Sequence, residues 1–138
     1  MHTPDALRIL VVDDTPSVRR ELSELLSGLP TVDSVVAVGS AEEAWEHLPR
    51  VVPDLVVLDL GLPGMTGLEF LRRLTSRPDR PVVVVLSNHA EPEVRRRTTA
   101  AGASAHFDKG LEIRAFLAWV AEFHQPSRRA DRGPEVTP

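Results

Sequence analysis

Acidic residues stand at the ends of two short apolar runs, where they could share one metal ion. Asp13 and Asp14 follow the run at residues 7–12, and Asp59 follows the run at residues 55–58. An all-apolar run bounded by turn residues is typical of a strand buried on both faces of a parallel sheet. Open α/β sheets bind ligands at the carboxyl edge of such strands. We therefore expect the three carboxylates to lie at one edge.

Clustered carboxylates must either protonate or bind a cation. Two unit charges about 4 Å apart repel by roughly 4 kcal/mol at an effective dielectric constant of 20. The chain contains no cysteine, and no pair of histidines has metal-ligand spacing, so the available ligands are oxygens. Such ligands favour Mg²⁺, which keeps waters that a phosphate oxygen can replace. The alternative, in which these are unrelated aspartates of loops and turns, stays open on the residues alone.

Two further polar residues are predicted at the same edge. Ser87 ends the apolar run at residues 82–86, and Lys109, the only lysine, follows a short strand predicted at residues 105–108. Ser87 could instead only cap the loop that leads into the next helix. The coincidence of carboxylates, hydroxyl and ammonium is more informative than any one of them.

The elements that position these residues alternate between strands and amphipathic helices. Helix starts are predicted at Thr15 with Pro16, at the capping boxes Ser40/Glu43 and Thr66/Glu69, and at Pro92. Gly28 should end the first helix and Gly102 the fourth, while Pro49 and Pro53 should close the second. The last helix should run from about Leu111 to Val120. Five strands alternating with five helices predict a parallel sheet covered on both faces, in one of a few doubly wound orders.

Composition limits the class of protein. A chain of 138 residues fits one domain, which we expect at 7–124, after an N-terminal extension (1–6) and before a disordered tail (125–138). A net charge of −4 gives no reason to expect nucleic-acid binding. Neither a signal peptide nor an apolar run long enough to cross a membrane is visible, so a cytoplasmic location is expected.

Over residues 7 to about 124, the chain resembles the receiver domain of two-component response regulators. The resemblance lies in Asp13-Asp14 after the first strand, in Asp59-Leu-Gly-Leu-Pro-Gly-Met-Thr-Gly-Leu-Glu, in Ser87, and in Lys109 after Gly-Ala-Ser-Ala-His-Phe-Asp. It implies a flavodoxin-like (βα)5 fold with a five-stranded parallel sheet of order 2-1-3-4-5. It also implies a stand-alone receiver, similar to that of chemotaxis. Such a receiver catalyses only its own phosphorylation and dephosphorylation.

The resemblance assigns a role to each site residue. Asp59 would accept a phosphoryl group from a histidine kinase or a histidine phosphotransfer protein, and Lys109 would pair with the phosphoryl oxygens. Asp14, Asp59 and the backbone carbonyl of Gly61 would bind Mg²⁺ directly, and Asp13 through a water. Ser87 would be the switch hydroxyl. Phosphorylation would then alter contacts with an output protein.

Two residues depart from the family pattern. His106 stands where the family usually has an aromatic residue, and we hypothesise that it makes switching weaker or pH-dependent, although a lone histidine there is more often a surface residue. Gly110 stands where the family usually has proline, so a cis peptide after Lys109 is not favoured. The run Arg95–Arg97 on the fourth helix, a face used for output or dimerisation in the family, is interpreted mainly as a solvated surface.

Three alternatives belong to other classes. A degenerate receiver would act as an unphosphorylated interaction module; the presence of every acceptor residue argues against it, whereas the departures at His106 and Gly110 keep it open. An aspartate-nucleophile phosphatase would show Asp-x-Asp after its first strand, whereas this chain has Asp13-Asp14-Thr15. A flavodoxin would need a hydroxyl-rich phosphate loop at that place, where Asp13 and Asp14 would repel the flavin phosphate.

Overall fold

A parallel five-stranded sheet runs through the part of the chain that the computed structural model describes, residues 6–123. The strands are β1 (Leu7–Val12), β2 (Val32–Val38), β3 (Leu55–Leu58), β4 (Val82–Ser87) and β5 (Ala105–Asp108). The helices are α1 (Pro16–Ser27), α2 (Ala41–Val51), α3 (Gly67–Thr75), α4 (Pro92–Ala100) and α5 (Ile113–Ala121). The strand order is β2-β1-β3-β4-β5. The predicted fold class and strand order are confirmed.

Two apolar cores lie on opposite faces of the sheet. Side chains on alternate positions of the strands divide between them, as the two-residue period of a strand requires. One core joins the sheet to α2 and α3 and includes Leu48, Phe70 and Leu74. The other joins the sheet to α1 and α5 and includes Leu26, Phe116 and Val120. The central strands are thus buried on both faces, which leaves their carboxyl ends as the place for polar groups.

Strand register fixes which loops meet at that edge. Val12 is opposite Leu58 in the β1–β3 pair, and the amide of Asp59 donates to the carbonyl of Val12 at 2.9 Å. Ser87 is opposite Asp108 in the β4–β5 pair, and the amide of Lys109 donates to the carbonyl of Ser87 at 3.0 Å. The hydrogen bonds of the sheet therefore continue into the residues that carry the candidate chemistry.

Local capping explains several of the helix starts. The hydroxyls of Ser40 and Thr66 accept from the amides of Glu43 and Glu69, at 3.1 and 3.2 Å, as predicted. Thr15 is the N-terminal capping residue of α1, but its side chain makes no capping hydrogen bond. The first turn of α1 starts instead with Pro16, whose fixed φ suits that position.

Some boundaries differ from the prediction. Strand β2 begins at Val32 rather than near Val35, and Pro49 lies inside α2, which continues to Val51. The helix ends where Val52 adopts a left-handed conformation with φ of 47°. Leu111, expected on the apolar face of the last helix, is 87% exposed in the loop before α5. The predicted disordered tail at 125–138 lies outside the described residues, and within residues 6–123 no helix is long and apolar enough to cross a membrane.

Candidate functional site

The structure brings together the three aspartates that the sequence placed at one edge. Asp13, Asp14 and Asp59 each offer a carboxylate oxygen, and these oxygens lie within 4.8 Å of one another. Asp13 and Asp59 are buried, whereas Asp14 is exposed. A cluster of hard oxygen ligands that opens to solvent on one side fits a divalent cation such as Mg²⁺, which retains part of its water shell.

Asp13 is held from two directions. Its Oδ1 accepts from the amide of Thr15 at 2.9 Å, and its backbone carbonyl accepts from Nη1 of Arg19 at 2.8 Å. Arg19 packs against Gly39, where a Cβ atom would lie only 2.9 Å from the same Nη1. Sequence analysis did not identify Arg19, because a hydrogen bond from a helix to the preceding strand end leaves no pattern in the chain.

Lys109 extends into the acidic cluster and neutralises part of it. Its Nζ lies 2.6 Å from Oδ2 of Asp13 and 3.4 Å from Oδ2 of Asp59. Burial by itself would lower the pKa of Lys109, but the hydrogen bond that Lys109 donates to Asp13 and the charge of Asp59 outweigh it and raise the pKa. Lys109 is therefore a charged partner of both carboxylates over the whole physiological pH range.

The loop after β5 is organised by a side chain that sequence analysis did not consider. Oδ1 of Asp108 accepts from the amides of Gly110 and Leu111, at 2.8 and 3.0 Å. A proline at position 110 has no N–H and would forfeit the first of these hydrogen bonds. The departure from the family pattern at Gly110 thus coincides with a turn that requires a free amide there.

The loop that follows Asp59 is built around a close backbone approach. A Cβ atom at Gly67 would lie 2.5 Å from the carbonyl oxygen of Asp59, so only glycine fits at this position. Glu42, near the start of α2, accepts from the amide of Met65 at 3.1 Å. Gly61 has open space around it, and its amide lies 3.4 Å from Oδ1 of Asp59.

The backbone of His89 forms hydrogen bonds with the side chains of both Ser87 and His106. The buried Ser87 accepts through Oγ from the amide of His89 at 3.1 Å. The carbonyl of His89 lies 2.9 Å from Nε2 of His106, and Nδ1 of His106 lies 2.8 Å from Oγ1 of Thr98 on α4. A carbonyl only accepts, so Nε2 carries the proton that is donated to His89. Nδ1 lies beside the Thr98 hydroxyl, which also hydrogen-bonds to the carbonyl of Arg95 at 3.1 Å.

His106 is buried, with 8% of its surface exposed, so it is not the surface residue that a lone histidine usually is. Burial lowers the pKa of His106, and the nearby charge of Arg95 lowers it further, against an opposing hydrogen bond to His89. The ring is therefore neutral at physiological pH and joins β5 to α4 and to the loop after Ser87.

The arginine run of α4 divides into two kinds of residue. Arg96 and Arg97 pair at 3.6 Å with Glu93 on the same helix, and their side chains are 72% and 62% exposed, as expected of a solvated surface. Arg95 is different, because its guanidinium donates to the carbonyls of Ala90 and His106 and to the carboxylate of Glu112. Interpreting the whole run as a solvated surface is therefore wrong for Arg95.

Comparison with known proteins gives a consistent result. Residues 9–121 match the family model of the response regulator receiver domain. The chain is 35% identical, over 96% of its length, to a protein-glutamate methylesterase/protein-glutamine glutaminase of Syntrophus aciditrophicus, and 38% identical, over 86%, to the transcriptional activator protein ExaE of Pseudomonas putida. The matches cover 41% and 58% of those two relatives, so this chain corresponds to only a part of each.

A solved structure shares the fold. The BeF3-activated N-terminal receiver domain of Klebsiella pneumoniae RstA superposes with a TM-score of 0.74 at 28% sequence identity, covering 81% of this chain and 93% of that one. The family match extends over most of the described residues and contains the acidic cluster, Ser87 and Lys109. The chain therefore belongs to the response regulator receiver domain family.

Proposed function

We propose that this receiver domain accepts a phosphoryl group on Asp59 from a histidine kinase or histidine phosphotransfer protein, with Mg²⁺ bound, and that phosphorylation changes its contacts with other proteins. The observation that carries the proposal is the environment of the Asp59 carboxylate. It lies in a cluster with two other carboxylates and has the ammonium of Lys109 at 3.4 Å. Phosphoryl transfer depends mainly on such positioning and charge neutralisation.

The donors fit a magnesium site with unequal ligands. Asp14, Asp59 and the carbonyl of Gly61 would bind the ion directly. Both oxygens of Asp13 already have partners, the amide of Thr15 and Nζ of Lys109, which supports contact through a water. When bound, Mg²⁺ would neutralise the carboxylates and orient an oxygen of the incoming phosphoryl group.

In the proposed transfer, a carboxylate oxygen of Asp59 forms a bond to phosphorus while the bond between phosphorus and the donor breaks. The product is an acyl phosphate, and Lys109 pairs with one of its oxygens. The likeness to a receiver domain described as BeF3-activated supports this interpretation. Ser87, whose Oγ now accepts from the amide of His89, would donate its hydroxyl proton to the new group.

The output is a change of protein contacts rather than chemistry on a second substrate. One relative is named as a methylesterase and another as a transcriptional activator, and the chain matches only part of each. A degenerate receiver remains the second candidate, favoured by His106 and Gly110. It would bind partners without phosphorylation.

Mass spectrometry after exposure to acetyl phosphate and Mg²⁺ tests the proposal. We expect the wild type to gain the mass of one phosphoryl group and Asp59→Asn to gain none. Asp79→Asn, which alters an exposed residue paired with Arg77, is the matched control and should be modified like the wild type. Uptake by Asp59→Asn at the wild-type level would show that Asp59 is the wrong residue. A folded wild type that takes up no phosphoryl group from this donor or from a kinase would favour the degenerate receiver.

A further inference from the structure

Arg95 joins three segments that are separate in the sequence. Its Nε donates to the carbonyl of Ala90 at 2.6 Å, Nη1 to the carbonyl of His106 at 2.7 Å, and Nη2 to Oε1 of Glu112 at 2.8 Å. The planar guanidinium has its donors in a fixed fork, so three such partners define its position closely. Few other charged side chains could make the same set of contacts.

Two of these segments carry the proposed phosphoryl-contacting groups. Ala90 lies in the loop that starts at Ser87, and His89 in that loop donates its amide to the Ser87 hydroxyl. Glu112 closes the loop that contains Lys109. Arg95 therefore reaches both loops from α4.

Glu112 transmits the contact into the lysine loop. The same Oε1 that accepts from Arg95 also accepts from the amide of Asp108 at 2.7 Å. Asp108 in turn accepts from the amides of Gly110 and Leu111, the residues that follow Lys109. The arginine is thus linked through one carboxylate to the turn from which Lys109 projects.

Helix α4 has few other attachments. Its only buried residue is Thr98, and the helix offers no apolar face like those of α2 and α3. Helices held by few buried apolar contacts open at low free energy. Besides the buried hydrogen bond between Thr98 and His106, the polar contacts of Arg95, whose side chain is 36% exposed, therefore help to keep α4 in place.

We propose that Arg95 and Glu112 form a positioning pair that holds the loop after Ser87 (88–91), the loop that contains Lys109 (109–112) and α4 together, so that they move as one body. A displacement of Ser87 or Lys109 at the site then moves α4, and a partner that holds α4 alters the site in return. The transmitting role depends on the proposed function. The holding of the two loops does not, because it concerns the resting protein.

Hydrogen exchange of the resting protein tests the holding role. In Arg95→Gln, we expect the amides of the two loops, and that of Asp108 above all, to exchange about tenfold faster than in the wild type. The matched control is Arg96→Gln, which removes the same charge from the next residue of α4, where the side chain is 72% exposed and pairs with Glu93. Equal exchange in the two variants would overturn the proposal, whatever the protein does with phosphate.

Beryllofluoride with Mg²⁺ tests the transmitting role. It should change the exchange of α4 amides in the wild type and in Arg96→Gln, and that change should be about fivefold smaller in Arg95→Gln. An undiminished response of α4 in Arg95→Gln would refute transmission through this pair. A wild type that binds no beryllofluoride would refute the proposed function instead, and the resting experiment would still decide the holding role.

Glu112→Gln is a second test of the pair, which still decides the proposal if Arg95→Gln does not fold. Its side-chain oxygen can still accept from the amide of Asp108, but the charge that attracts Arg95 is gone. We expect exchange in both loops to rise less than in Arg95→Gln, and the double variant to behave like Arg95→Gln alone. Fully additive effects of the two substitutions would show that the residues do not act as a pair.

Discussion

Lys109 forms its shorter contact with Asp13, at 2.6 Å, and its longer one with Asp59, at 3.4 Å. The carboxylate proposed to contact Mg²⁺ only through a water thus holds the ammonium beside the carboxylate proposed to accept the phosphoryl group. Asp13 has 2% of its side chain exposed, and Lys109 has 15%. Because a buried charge is costly without a partner, the carboxylate of Asp13 depends on the ammonium of Lys109.

Removing the ammonium should make stability depend on magnesium. In Lys109→Met, the buried carboxylate of Asp13 loses its partner, and we expect the free energy of unfolding in the presence of EDTA to fall by about 3 kcal/mol. Mg²⁺ should restore more stability in this variant than it adds to the wild type, since the ion can neutralise the carboxylate charge that Lys109 no longer balances. Urea unfolding with EDTA and with Mg²⁺ measures both. Arg96→Met controls for the loss of a surface cation, and an unchanged stability of Lys109→Met in EDTA would contradict the ion-pair interpretation.

The lowered pKa of His106 should make the fold less stable in mild acid. The unfolded chain binds a proton at this residue near pH 6.5, whereas the folded protein binds it only at lower pH. Stability from this residue is therefore present above about pH 6.5 and is lost as pH falls through the folded pKa. His106→Gln should show a shallower loss of stability than the wild type between about pH 7 and pH 5.

His47→Gln is the control for that experiment, because His47 hydrogen-bonds to the carbonyl of Glu43 on its own helix and is not part of the contacts of His106. The pH profile of His106→Gln should differ from that of this control. If His106→Gln and the wild type lose stability in parallel, the buried ring is not the source of the pH dependence.

Two glycines of the Asp59 loop should respond differently to alanine. At Gly67, a Cβ atom would collide with the carbonyl of Asp59 at 2.5 Å and with Cα of Leu60 at 2.6 Å, both of them backbone atoms. We expect Gly67→Ala to lower the free energy of unfolding by about 1–3 kcal/mol and to weaken Mg²⁺ binding. At Gly61 nothing lies within 4 Å, so Gly61→Ala should stay within about 0.5 kcal/mol of the wild type. Chemical denaturation compares the pair, and equal effects would argue against the close approach.

Position 110 separates the effect of an amide from that of a side chain. Gly110→Pro removes the N–H that donates to Asp108, which should cost about 1 kcal/mol of stability. Gly110→Ala keeps that amide, and its Cβ would lie at an ordinary 3.5 Å from Oδ1 of Asp108. We expect slower phosphoryl uptake from acetyl phosphate in the proline variant alone, because Lys109 precedes the altered residue. Faster uptake in Gly110→Pro would show that the turn around Asp108 does not help to place the lysine.

Much of this protein was determined by local patterns. The strand-like run before Asp13 and the all-apolar run before Asp59 identified buried strands, and the Ser40 and Thr66 caps located two helix starts. Because parallel strands share one carboxyl edge, those patterns were enough to predict that the acidic residues would converge. Local patterns locate the ends of helices less well. Because proline lacks an N–H, Pro49 predicts a helix end. In the structure α2 continues past it, with the neighbouring Leu48 packed in the core.

Which hydrogen bonds and ion pairs the polar side chains form was decided by the tertiary structure alone. Nothing local distinguishes Arg95 from Arg96 and Arg97, yet it is Arg95 that donates to the carbonyl of Ala90, in the loop after β4, and to that of His106, in β5. Nothing local predicts that Lys109 lies nearer to Asp13 than to Asp59, or that His106 is buried between α4 and the loop after β4. Apolar periodicity is encoded along the chain because burial acts on every residue of an element. A hydrogen bond between distant side chains depends on a few ångströms of relative placement, which only the packed sheet and helices set.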